Sequence, residues 1–203
     1  MRENLKLGGI LLGVTMIAGI LLGAVNNLTK DAILENSKIN KDDLRLIMKE
    51  ANKIEDTDFE LGEDDGIKEV YLAKSEDKEV GYVFKVTTKG FHGPIDMFVG
   101  VAEDKLSGMK ISSHTETPGL GARIEEEEFR AEFTDKLIEK SLEIVKMEPA
   151  EEHQIDGISG ATVSSKAVGT AVNEVINFYR ENIKGEEVDD EIDATTGASE
   201  SDW

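Results

Sequence analysis

A chain of 203 residues with no cysteine and a formal net charge of -20 excludes several functions at once. Nucleic acid is not an expected partner, because its phosphate backbone would repel such a chain. Disulfides, cysteine-ligated iron–sulfur clusters and thiolate nucleophiles are ruled out, and the length suits one domain with appendages.

Leu7 to Val25 runs 19 residues without a charge, about 28 Å as a helix and close to the thickness of a bilayer's hydrocarbon core. Thr15 is its one clearly polar side chain. The rival is a cleaved signal peptide with Arg2 and Lys6 as its basic region. The run exceeds the usual apolar stretch of such peptides and shows no convincing Ala-x-Ala site, so an uncleaved anchor over residues 1–27 is expected. Arg2 and Lys6 precede the span, whereas Lys30 and Lys38 follow it diluted among acids. That places the N-terminus in the cytoplasm and the bulk of the chain outside, a single-pass arrangement. Gly9/Gly13 and Gly19/Gly23 would let another membrane helix approach closely.

Asn40 with Asp43 marks a helix start, and Leu44, Ile47, Met48, Ala51 and Ile54 follow at helical spacing. Glu55 to Gly66 is acidic and punctuated by glycine, which predicts a loop. From Ile67 the period changes to two. Ile67–Lys74, Val80–Thr87, Ile95–Val101 and Leu106–Ser112 read as four strands joined by short turns, an antiparallel meander. Gly81, Gly100 and Gly108 inside those strands predict bulges or close approaches. Glu125 to Ser141 is charged, with Phe129, Phe133, Leu137 and Ile138 as a narrow apolar stripe, and reads as mostly helical; Leu142 to Val145 reads as a short strand. Val168, Ala171, Val172, Val175, Ile176, Tyr179 and Ile183 then form one stripe of a helix from about Ser165 to Lys184. Gly185 to Trp203 holds eight acidic residues and no Lys or Arg, so residues 185–203 form an acidic tail expected to be disordered. The fold class is therefore α+β: an antiparallel meander flanked by helices, behind one N-terminal transmembrane helix.

Two stretches carry the chemistry. Asp156-Gly157-Ile158-Ser159-Gly160-Ala161-Thr162-Val163-Ser164-Ser165 is a glycine-bearing turn that opens the last helix. Gly157 and Gly160 permit unusual backbone angles, and Ser164 and Ser165 are expected as N-caps. A helix N-terminus behind such a turn suits a phosphate, although a hydroxyl-capped helix without a ligand fits the same residues. The other stretch, His114-Thr115-Glu116-Thr117-Pro118-Gly119-Leu120-Gly121, follows the fourth strand. Proline fixes one angle and glycine frees the next, which builds a rigid loop with exposed amides. His92, His114 and His153 have no metal-ligand spacing, so no metal site is expected.

The first stretch resembles the flavinylation motif of the FMN-binding domain found in the G subunit of the Rnf complex and the C subunit of the sodium-pumping NADH:quinone reductase. The second resembles the His-x-Glu-Thr-Pro-Gly-Leu-Gly run of the same domains. The resemblance covers roughly residues 7–184, and the short chain favours the Rnf type. It implies an FMN-binding domain over 28–184 and a single FMN joined by a phosphoester bond to Thr162. A separate flavin transferase would make that bond from FAD with magnesium. It places Ser159, Gly160, Ala161, Ser164, Ser165, Glu116, Thr117, Gly119 and Leu120 near the cofactor. The chain would relay electrons beside other membrane subunits of a pump that passes electrons between ferredoxin and NAD, and would perform no substrate chemistry of its own. Two alternatives are a membrane-anchored scaffold without covalent cofactor, and an FMN domain serving another extracytoplasmic reductase.

Overall fold

The computed structural model describes residues 2–36, 39–62, 66–146, 149 and 151–186. They fall into two units divided between Ile39 and Asn40. The expected disorder of the acidic tail lies, from residue 187 onward, outside the described residues.

The first unit is one helix, α1 (Arg2–Asn36). Its Lys6–Thr29 segment is long and apolar enough to cross a membrane, with mean hydropathy 2.2. The helix continues past the apolar run as far as Asn36. Thr15 turns its hydroxyl back to the carbonyls of Leu11 and Leu12, and Thr29 does the same to Val25 and Asn26. Back-bonding of this kind satisfies a hydroxyl within its own helix, as a lipid setting requires.

The second unit is an α+β domain built on a five-stranded antiparallel sheet. Its strands are β1 (Lys53–Asp56), β2 (Ile67–Ser75), β3 (Lys78–Lys89), β4 (Pro94–Ala102) and β5 (Lys105–His114), each hydrogen-bonded to the next. Alternation sorts their side chains onto two faces. Phe84 and Val86 of β3, Met97, Val99 and Val101 of β4, and Leu106, Met109 and Ile111 of β5 enter the main core. Helix α4 (Thr162–Phe178) closes that core with Val168, Ala171, Val172, Val175 and Ile176, all fully buried. A π-helical turn, Tyr179–Ile183, continues it.

The opposite face is covered by α2 (Lys41–Ile47). Leu44, Ile47, Met48 and Ala51 are buried there, as are Ala73, Val83 and Phe98 of the sheet. The strand glycines explain the fit. A Cβ on Gly108 would strike the carbonyls of Leu46 and Ile47, and one on Gly100 would strike Ile47 and Ser107. The register also shifts beside Gly100, so the predicted bulge and close approach are both present.

Three predicted elements need correction. Asn40 caps α2 as expected, accepting from Asp42 N at 2.9 Å and Asp43 N at 2.8 Å, but the helix stops at Ile47. Met48 is extended (φ -148°, ψ 100°), and Ile54 lies in β1 opposite Ala73. Pairing with β2 wins over helical continuation, so part of the predicted Glu55–Gly66 loop is strand. The 125–141 segment is mostly not helical. It has a 3-10 turn (Gly121–Glu125) and α3 (Glu127–Ala131). Asp135 then takes a positive φ of 63° and the chain docks on β5, with Leu106 N donating to Lys136 O at 2.9 Å. Finally, β6 (Glu143–Val145) pairs in parallel with β7 (Gln154–Asp156), a strand the pattern does not announce.

Candidate functional site

Helix α4 begins at Thr162, three residues before the expected start. Ala161 precedes it and supplies no side-chain cap. Ser164 and Ser165 are therefore inside the first turn and are not N-caps. Ser165 is wholly buried; its hydroxyl accepts from Ile158 N at 3.0 Å and donates to Ala161 O at 3.1 Å, bracing the turn from within. Gly160 has φ +80°, which a side chain would strain. Gly157 serves for another reason. Its φ is not positive, and a Cβ there would lie 2.9 Å from Val145 O and 3.0 Å from Ile144, so β6 sets its size.

The two motifs meet at this turn. A groove of about 320 Å³ is lined by Phe91, Glu116, Thr117, Leu120, Gly121 and residues 160–164. Of the residues expected at the cofactor, Glu116, Thr117, Leu120, Gly160, Ala161, Thr162 and Ser164 line it. Ser159 instead faces a neighbouring groove with Asp156, Gly157 and Ile158. Gly119 lies outside the lining, exposed, with φ +76°. Its turn is closed by Leu120 N and Ala122 N, which both donate to Thr117 O at 3.1 Å.

Phe91, Leu120 and Val163 are 59%, 48% and 41% exposed. These large apolar side chains converge on one polar turn, which gives the groove an amphipathic character. Phe91 and Val163 carry no sequence signal: an aromatic between a glycine and a histidine, and a valine inside a motif, are both ordinary. Thr162 is half-buried, and among the described residues its hydroxyl has no hydrogen-bond partner.

Glu116 is the buried charge of the site, 5% exposed. Burial pushes its carboxyl upward. The Ser164 hydroxyl, the amides of His92 and Phe91, and the charge of His92 outweigh that and hold it below the ordinary carboxylate range. It is an anion at neutral pH. Thr117 Oγ1 lies 3.3 Å from His92 Nδ1, a second tie between this loop and the β3–β4 turn.

Fold and groove define the class: residues 90–177 match the FMN-binding domain family. A relative from Clostridium ljungdahlii, the G subunit of its proton-translocating ferredoxin:NAD(+) oxidoreductase complex, is 33% identical over 79% of this chain and 83% of its own. The G subunit of the Na(+)-translocating ferredoxin:NAD(+) oxidoreductase complex of Acetobacterium woodii is 31% identical over 86% and 91%. The crystal structure of the C subunit of Na(+)-translocating NADH-quinone reductase from Parabacteroides distasonis shares the fold, with TM-score 0.51 and 30% identity over 59% of this chain and 64% of that one. The chain belongs to the family of G subunits of ion-translocating ferredoxin:NAD(+) oxidoreductase complexes.

Proposed function

We propose that this chain is the FMN-carrying, electron-transfer subunit of a membrane-bound, ion-translocating ferredoxin:NAD(+) oxidoreductase complex, with FMN joined through its phosphate to Thr162. One observation carries the attachment site. Thr162 is the first residue of α4 and lies on the groove where the two motifs converge. The first amides of a helix have no partner within it, and Ala161 offers none from a side chain. Those amides and the positive end of the helix dipole suit a phosphate diester at Thr162. Phe91, Leu120 and Val163 offer apolar surface to a planar ring beside it.

When bound, FMN would supply the reversible redox chemistry. The protein's own part is positional. Thr162 is the tether, the α4 amides hold the anion, and the apolar residues exclude water from one side. A threonine hydroxyl is a weak nucleophile without a neighbouring base. The base belongs to a separate flavin transferase, which uses FAD and magnesium. The α1 helix anchors the chain among the other membrane subunits, with its N-terminus cytoplasmic and the FMN domain outside.

The test is intact mass after co-expression with the transferase. The full chain should gain the mass of FMN less one water, and Thr162→Ala should gain nothing while keeping its circular dichroism. Flavin fluorescence surviving on the denatured Thr162→Ala band would remove Thr162 from its role. Sidedness is read with a membrane-impermeant maleimide on a single cysteine introduced at exposed Thr170 of this otherwise cysteine-free chain, in intact cells. Labelling is expected; protection until lysis would place the domain inside.

A further inference from the structure

Glu116 does more than line the groove. Its Oε2 accepts from Ser164 Oγ at 2.7 Å, and its Oε1 accepts from His92 N at 3.1 Å. Its own amide donates to His114 Nδ1 at 3.1 Å, and the other nitrogen of that ring lies 3.1 Å from Glu125 Oε1. Two glycines are shaped around the carboxylate. A Cβ on Gly121 would collide with Glu116 Oε2 and Ser164 Oγ, and one on Gly90 would collide with Glu116 Oε1. The histidine, the glutamate and the last glycine of the second motif thus serve one buried bond to the first turn of α4.

That bond falls two residues beyond Thr162, in the same turn. A serine hydroxyl in a first turn competes for local backbone groups. Here Glu116 takes the Ser164 hydroxyl instead and ties the turn to the β3–β4 loop.

We propose that Glu116 is a positioning residue: through Ser164 it clamps the first turn of α4 and fixes the Thr162 hydroxyl for attachment of the flavin phosphate. This rests on the Thr162 reading above. In the step concerned, the bond from Thr162 Oγ1 to phosphorus forms and the pyrophosphate bond of FAD breaks. AMP leaves with the bonding pair, and the hydroxyl proton passes to a base on the transferase. Glu116 touches none of these atoms; it sets where the nucleophile stands.

The experiment follows loading of the purified full chain by the transferase with FAD and magnesium, using intact mass over time and thermal unfolding midpoints alongside. Glu116→Ala should lower the kcat of loading at least about tenfold, since small misplacements of a reacting atom are costly, with KM for the chain changed less than about twofold. Glu116→Gln should restore loading to within about threefold of the native chain, because its carbonyl can accept from His92 N while its amide donates to Ser164 Oγ. Gly121→Ala removes no polar group but blocks the contact. It should slow the native chain and add little in the Glu116→Ala background. Native-rate loading by Glu116→Ala overturns the clamp, as does Glu116→Gln loading as slowly as Glu116→Ala. If Glu116→Ala unfolds, Gly121→Ala decides: fast loading at a native midpoint overturns the proposal. Thr162→Ala separates the two readings. Flavin mass persisting in it defeats the attachment site itself, whereas its loss there beside native loading in Glu116→Ala defeats only the clamp.

Discussion

Strands β2–β5 and the stretch from Thr115 to Ala161 are adjacent in the chain, but their backbones are secured differently. The strands share long antiparallel ladders interrupted by a few register shifts, and their inner face is a close-packed apolar layer under α4. The connecting stretch also sends Ile124, Phe129, Phe133, Ile138 and Ile155 into that core, but its backbone is secured by a five-residue helix, one short parallel pair and a series of single polar tethers. Asn173 binds both the N–H and the C=O of Leu142, at 2.7 and 2.9 Å. Lys136 Nζ reaches the carbonyls of Glu152 and Gln154. Arg130 reaches those of Glu125 and Met109. A ladder spreads its cost over many bonds, whereas a tether concentrates it in one. The groove lined by Glu116, Thr117, Leu120 and the first turn of α4 falls where the chain is tethered.

That contrast predicts a global response when the sheet loses core volume and a local one when a single tether is removed. The largest effect belongs to the sheet. Phe84 is wholly buried between Tyr82 and Phe178, with ring centroids at 6.5 and 5.9 Å. Phe84→Ala should cost about 3–5 kcal/mol by cavity formation, read as a global shift in the denaturant midpoint. Next comes Asn173→Ala, which strands a buried N–H and C=O at about 1–3 kcal/mol. Its signature should be local: faster amide exchange over residues 142–145 with β3 and β4 unaltered. Uniform acceleration across the sheet would erase the distinction between the two regions.

The same contrast explains which parts were legible in the sequence. Period-two alternation and short polar turns located all four meander strands within a few residues, because a half-buried strand writes its faces into its own residues. The stripe from Val168 to Tyr179 did the same for α4. The edge strand at Lys53–Asp56 was hidden because its partner, Tyr71–Lys74, is remote and Ile54 also fits a helical spacing. Residues 132–141 carry helix-like apolar spacing, yet after local turn bonds at 132–134 the backbone of Asp135 and Lys136 pairs with Leu106 of β5, and no local pattern encodes that. At the groove, residues of the two motifs singled out by resemblance lie side by side. Resemblance could not show that Ser165 braces the turn from inside, that Ser159 faces another groove, or that Phe91 completes the lining.

Smaller effects sharpen the contrast within the connecting stretch. Gly119 is exposed, and a Cβ there meets nothing within 4 Å, yet its φ is +76°. Gly119→Val should cost about 1–3 kcal/mol through backbone strain alone. It should also perturb the visible spectrum of the loaded chain, while Gly119→Ala costs less than valine. Equal stability for all three residues would mean that the loop relaxes freely and has no fixed shape to offer a ligand.

The finest test is the pH dependence of Glu116. Its carboxyl lies below its ordinary value of about 4.5 in the folded chain, because the Ser164 hydroxyl and two backbone amides outweigh its burial. A group depressed on folding contributes stability that is present above its unfolded value and is lost as pH falls through the folded one. The stability difference between the native chain and Glu116→Gln should therefore be steady near neutrality and move against the native chain as pH drops below about 4.5. Comparing the two chains at each pH cancels most of the titration of the other acidic residues. Denaturant unfolding from pH 7 down to the acid limb reads it directly. A difference independent of pH would show that the tether from the second motif to α4 does not depend on a charged carboxylate, leaving only its geometry to hold the turn.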